Sequence, residues 1–188
     1  QCMEQVVFSK NFFKDKFVAA LSPTFLPAVK KVCSLIDFSK TQILVEYGPG
    51  TGVFTKYLLE KMNNLSKLIA IESNQKFIDY LKNIHDGRLQ VYHGSAVDVR
   101  DFLEKSKISQ VDYIISGIPF LLFDEGLRIK ILENSKSVLS LHGKIILYQY
   151  SIVMKKDLEK FFSNVSVGCT FKNIPPLFIL VSEKMFEK

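Results

Sequence analysis

The chain has 188 residues, 47% hydrophobic and 23% charged, with 16 Phe, 7 Tyr and no Trp, a size and balance that suit one buried core and exclude a disordered chain. Its formal net charge of +6, with 25 Lys plus Arg against 19 Asp plus Glu, draws it toward nucleic acid or an anionic membrane without choosing between them. Three scattered cysteines (Cys2, Cys33, Cys169) and three scattered histidines (His85, His93, His142) argue against a disulfide framework or a metal site.

Residues 4 to 21 read EQVVFSKNFFKDKFVAAL, and Phe13, Phe17 and Leu21 recur at helical spacing, with Lys10, Lys14 and Lys16 between them. This predicts a basic amphipathic helix that either lies in a lipid headgroup layer or packs on the main domain. Ser22 before Pro23 then caps a second helix expected from Thr24 to about Ile36. Residues 1–40 form this helical preface, and residues 41–188 the main domain. Beyond it, short apolar segments at 43–47, 68–72, 89–92, 111–115 and 144–150 read as strands. Helical spacing fills roughly 53–62, 74–83, 98–106 and 124–141 between them. Apolar strands joined by helices predict a parallel sheet covered on both faces. Segments 164–172 and 177–183 are separated only by a turn at Asn173–Pro176, too short for a crossover, so they are expected to pair antiparallel. No run of 18 apolar residues and no signal-peptide order occur, so the expected location is cytoplasmic, with contact at the inner face of a membrane allowed.

The first strand runs into Gly48, Pro49, Gly50, Thr51 and Gly52, followed by a helix. The GxGxG spacing lacks both the dinucleotide GxGxxG pattern and a GK[ST] ending, so it suits a ligand without a pyrophosphate to cradle. Glu72 ends the second strand, where a carboxylate accepts hydrogen bonds from ribose hydroxyls.

With VEYGPGTGVFT (Val45–Thr55), AIE (Ala70–Glu72), SGIPF (Ser116–Phe120) and NIPP (Asn173–Pro176) in place, the chain resembles class I S-adenosylmethionine-dependent methyltransferases. Among them it is most similar to the small bacterial phospholipid N-methyltransferases, relatives of the ribosomal RNA adenine dimethylases. The resemblance implies a Rossmann-like α/β fold with a mostly parallel seven-stranded sheet, a C-terminal antiparallel hairpin and extra N-terminal helices. It further implies S-adenosylmethionine as cofactor and S-adenosylhomocysteine as product. Glu46 and the Gly48–Gly52 loop are expected around the methionine part, Glu72 and Ser73 at the ribose, Ser95 and Ala96 near the adenine, and Ser116 and Gly117 beside the methyl group. Ser95 stands where many relatives have Asp, and Asp98 lies close by.

The acceptor implied is the amine of a phospholipid headgroup, with phosphatidylethanolamine first. The partner surface is an ethanolamine-containing or anionic membrane met through residues 4–21, aided by Lys155, Lys156 and Lys160 on one side of a short helix. Adenine N6 methylation of ribosomal RNA is the second reading, and a non-catalytic adaptor the third. The adenine enzymes carry Asn/Asp-Pro-Pro-Tyr/Phe where this chain has Ser116–Phe120, without the amide and first proline. In that stretch Ile118, Phe120, Leu121, Leu122 and Phe123 form an apolar wall, and Phe120 is the one ring placed to stack on a base. The resemblance also leads us to expect no helical RNA-contacting domain after the sheet. Tyr148 and Tyr150, at alternate positions of the fifth strand, can share a side, where they either hold the ammonium product or pack the sheet as ordinary aromatics. Ser116, Tyr148 and Tyr150 are thus the candidate catalytic group. Asp112, Asp124, His93 and His142 read as structural.

Overall fold

The computed structural model describes residues 26–170 and 176–185. The expected amphipathic helix at 4–21, its neighbour's cap at Ser22–Pro23 and most of the Asn173–Pro176 turn lie outside them. In chain order the elements are α1 (Leu26–Cys33), β1 (Ile43–Tyr47), α2 (Val53–Lys61), β2 (Lys67–Glu72), α3 (Gln75–Leu81), β3 (Leu89–His93), α4 (Val99–Lys105), β4 (Val111–Ser116), α5 (Glu125–Val138), β5 (Leu139–Gln149), α6 (Met154–Glu159), β6 (Ser163–Thr170) and β7 (Leu177–Glu183). Short 3-10 turns cover Ala96–Asp98 and Phe120–Leu122.

The seven strands form one sheet in the order β3-β2-β1-β4-β5-β7-β6, with β7 antiparallel to both β5 and β6 and the other pairings parallel. This is the expected seven-stranded, mostly parallel sheet with its antiparallel hairpin. The order reverses between β1 and β4, and the carboxyl ends of those strands border the crevice where open α/β sheets take ligands.

Strand alternation divides the core between the two faces. Leu44, Leu68, Tyr113, Ile115 and Ile146 pack on one side against Ala28, Val29 and Val32 of α1 and Phe54 and Leu58 of α2. Val45, Tyr47, Ile69, Ile114, Ile145 and Leu147 face the other, against Val99 and Leu103 of α4, Ile131 and Leu132 of α5, and Leu158 of α6. Burial of the central strands on both sides explains why their sequences read as continuous apolar runs.

Two boundaries depart from expectation, the first being α1, which stops at Cys33 and not near Ile36. Strand β5 begins at Leu139, inside the stretch read as helical to 141. Val138, Leu139 and Leu141 continue the apolar spacing, but Leu139 turns extended (φ −66°, ψ 137°) and pairs with Val111. Asp112 fixes this early segment by accepting from the Ile43 N–H at 2.9 Å and the Ser140 hydroxyl at 3.3 Å. Asp124 has its own structural task as the N-cap of α5, accepting from the Leu127 N–H at 2.8 Å. His93 and His142 also serve the fold, His93 through its ring contact to the Ser73 carbonyl and His142 through Glu183.

Candidate active site

The loop after β1 needs glycine because Gly48, Gly50 and Gly52 take φ of 67°, 60° and 80°, the left-handed region. It is held at one end by the Gly48 N–H on the Ile71 carbonyl, and at the other by the Gly52 N–H on the Pro49 carbonyl. A β-carbon built on Gly50 meets nothing within 4 Å, so the loop backbone there faces open space. The neighbouring Thr51 hydroxyl oxygen is buried without a hydrogen-bond partner among the described residues.

Glu72, buried at the tip of β2, accepts from the Gly50 N–H at 3.0 Å through one oxygen and from the Asn74 N–H at 2.9 Å through the other. Two backbone amides therefore aim the carboxylate at the loop. An ionised carboxylate accepts about four hydrogen bonds, which leaves capacity for a pair of ribose hydroxyls. A glycine cradle, an orphaned loop hydroxyl and an oriented carboxylate fit an adenosyl ligand.

Glu46 lies beneath the loop, fully buried on the α1–α2 side, and accepts from the Thr55 hydroxyl at 2.7 Å. Burial first, and then the nearby Glu46 charge, push the Cys33 thiol up to about 12. Ser73 is exposed beside the crevice. The Ser95 hydroxyl accepts from the Val97 N–H at 3.3 Å and so caps the turn that carries the buried Ala96. Asp98 follows in that turn and is exposed.

Ser116 is fully buried at the end of β4, and its hydroxyl accepts from the Ile118 N–H at 3.4 Å. Gly117 permits a close approach, since a β-carbon there would strike the Tyr148 hydroxyl. Tyr148 is buried and stacks on Phe54, with ring centroids 5.1 Å apart and planes 9° from parallel. Tyr150 sits one residue beyond β5 and is exposed. Burial, reinforced by the Glu46 charge, raises the Tyr148 phenol well above its ordinary value, and burial raises Tyr150 as well. Both remain neutral near pH 7, able to donate hydrogen bonds and present ring faces but not to act as bases.

The apolar wall divides. Phe120 turns fully inward, edge-on to Phe123 at 6.1 Å, so its ring is core and is not presented for stacking on a base. Leu121 (53% exposed) and Leu122 turn outward instead, and Tyr150, Ile152 and Val153 (50%) are exposed after β5. Five of the eleven exposed large hydrophobics among the described residues thus follow two adjacent strands at one sheet edge. The two segments are tied below this rim, where Arg128 bonds the Phe123 carbonyl at 3.0 Å and the Asp157 carboxylate at 2.9 Å.

The expectation of three lysines offered together to headgroups is corrected. Lys155 pairs with Glu159, and Lys160 with Glu125 and Asp157, both at 3.1 Å. Acidic neighbours one turn away and on α5 thus engage two of the three charges. One residue was not singled out from the sequence. Gln149, the last of β5, is 7% exposed, and its Nε2 has no hydrogen-bond partner among the described residues. The available signal was a lone amide inside the apolar run IILYQY. No cluster of His, Cys, Asp and Glu suited to a metal occurs among the described residues. None of their helices is long and apolar enough to cross a membrane.

The strand order, the glycine loop after β1 and the carboxylate at the tip of β2 define the Rossmann-like fold of S-adenosylmethionine-dependent methyltransferases. It is shared with the N-methyltransferase NodS from Bradyrhizobium japonicum in complex with S-adenosyl-L-homocysteine (TM-score 0.69, 11% identity, 87% of this chain and 88% of that one). The model of the ribosomal RNA adenine dimethylase family matches residues 7–160, and the chain belongs to that family. A ribosomal RNA small subunit methyltransferase A from Mycoplasma capricolum is 28% identical over 187 residues, 95% of this chain and 64% of that protein. The chain thus spans just under two thirds of that relative's length. An ornithine lipid N-methyltransferase from Singulisphaera acidiphila is 25% identical over 174 residues, 90% of this chain and 91% of that protein.

Proposed function

We propose that this protein transfers the methyl group of S-adenosylmethionine to the amine nitrogen of a lipid headgroup, with phosphatidylethanolamine as the first acceptor. The observation that carries this reading is the apolar rim of Leu121, Leu122, Tyr150, Ile152 and Val153 at the carboxyl edge of β4 and β5, beside the candidate cofactor loop. Such a rim suits acyl chains or a lipid backbone. The ornithine lipid N-methyltransferase, matched over most of both lengths, supports the same acceptor class.

In this reading Gly48, Pro49, Gly50, Thr51 and Gly52 hold the cofactor with Glu72, Ser73, Ser95, Ala96, Ser116 and Gly117, while Glu46 braces the loop from below through Thr55. The bound cofactor supplies a methyl group already activated by its sulfonium. The protein has to orient an unprotonated amine and exclude water. Glu72, fixed by Gly50 and Asn74, presents its remaining lone pairs to the ribose hydroxyls. Tyr148, wedged between Phe54 and Gly117, closes the space under β4. Tyr150 offers its neutral ring and hydroxyl at the open side, where a cationic product gains cation-π attraction. Neither neutral phenol takes the amine's proton at neutral pH, so the amine has to reach the methyl group already unprotonated.

Family membership favours a second reading, N6 methylation of an RNA adenine. Against it stand the absence of an amide side chain from the Ser116–Phe120 stretch and the inward Phe120 ring. The test is to incubate the purified protein and methyl-labelled cofactor with phosphatidylethanolamine vesicles or ribosomal RNA. Label in the chloroform phase that depends on ethanolamine lipid supports the proposal. Label in RNA alone overturns it, and label in neither favours a non-catalytic adaptor.

A further inference from the structure

Resting on the lipid reading, we propose that the Gln149 carboxamide is a positioning residue, donating a hydrogen bond from Nε2 to a phosphate or acyl oxygen of the lipid acceptor. Buried polar groups in folded proteins are almost always paired, so an orphan that is not solvated asks for a partner. Gln149 is 7% exposed, and its Nε2 meets no acceptor among the described residues. It closes β5 at the sheet's carboxyl edge, in register with Phe178 of β7. On its other side the Ser116↔Leu147 pair sets it level with the segment that follows Ser116.

Alternation turns Gln149 away from Tyr148 and onto the face of Ile145 and Leu147. Phe120, Phe123, Met154 and Phe178 pack on that same face. None of these side chains carries a strong acceptor for an amide N–H. The rim residues Leu121, Leu122, Ile152 and Val153 lie in the two segments that follow β4 and β5, the latter starting next to Gln149 in the chain. A buried amide with an unpaired N–H, on a face that Phe120, Phe123, Met154 and Phe178 share with the Ser116 hydroxyl, suits an amphiphile with an oxygen-bearing head and hydrocarbon tails.

The test compares wild type with Gln149→Leu and Gln149→Asn, using phosphatidylethanolamine vesicles and labelled S-adenosylmethionine. Leucine removes the orphan and keeps the volume, so the expected Tm is unchanged or higher by about 2–4 °C. Affinity for S-adenosylhomocysteine, measured by calorimetry, is expected to stay the same. The expected loss is roughly tenfold in kcat/KM for lipid, the fold equivalent of one hydrogen bond, carried mainly by KM. Asparagine, which keeps an amide on a shorter arm, is expected to recover part of it. If Gln149→Leu lowers Tm and leaves KM for lipid unchanged, Gln149 is structural and the proposal is overturned while lipid methylation stands. If wild type itself puts no label into lipid, the lipid reading fails, and the ligand named for Gln149 fails with it.

Discussion

Glu72 does two jobs with one carboxylate. It anchors the backbone of the glycine loop through Gly50 and the turn after β2 through Asn74, and it keeps lone pairs for a ligand. Glu72→Ala is therefore expected to weaken binding of S-adenosylhomocysteine by about 10- to 100-fold, on the scale of one or two hydrogen bonds to a charged group. Calorimetry should find Lys14→Ala far milder, because the sequence assigns Lys14 to the expected amphipathic segment at 4–21 and gives it no part in the glycine loop or its acidic partner. The loop was legible in the sequence because glycine takes the positive φ at all three positions without steric cost, and Glu72 because it ends the next strand at a fixed distance along the chain. Gln149 and the inward turn of Phe120 were not legible. Whether a side chain at a strand end or in a 3-10 turn finds a partner depends on the strands and helices packed over it, and local spacing carries no record of that.

At the level of elements, the strands were easier to read than their limits. β1 and β7 fall where the apolar runs predict, whereas β5 starts within an apolar helical spacing and is set by its pairing with Val111. The clasp between α5 and α6 was equally hidden, since Arg128 and Asp157 are 29 positions apart and meet at 2.9 Å only in the fold. Burial would raise the Asp157 carboxyl, but the bonds from Lys160 and Arg128 outweigh it and hold the group below its ordinary value. A folded value below the unfolded one means that this contribution is complete above about pH 5 and disappears as pH falls through the folded value. Asp157→Asn should cost about 2 kcal/mol at pH 7, or about 5 °C in Tm, because it leaves Arg128 less well paired in a half-buried site. Thermal melts from pH 7 to pH 3 should show the variant's deficit shrinking in acid, and a deficit independent of pH would contradict the clasp.

On the scale of the whole molecule, the alternation of strands and helices disclosed the sheet, and the short final connection disclosed its hairpin. The distribution of charge was less readable, because Lys155 and Lys160 count toward the +6 yet are committed to carboxylates of the same protein. Under the lipid proposal, vesicle attachment is expected through the Phe- and Lys-bearing residues 4–21 together with the apolar rim. Deleting residues 4–21 should reduce co-sedimentation with anionic vesicles several-fold while leaving S-adenosylhomocysteine binding intact. Undiminished co-sedimentation would remove that segment from the attachment surface.

The place of β7 also governs how the sheet is finished. It follows β6 along the chain but lies between β5 and β6, so β6 has no neighbour to dock on until β7 arrives. During synthesis the β5 border consequently waits with its backbone groups open, a template for pairing with a second nascent chain. Pairing with β7 covers that border, so a substitution that weakens the β5–β7 ladder should show first as aggregation during refolding.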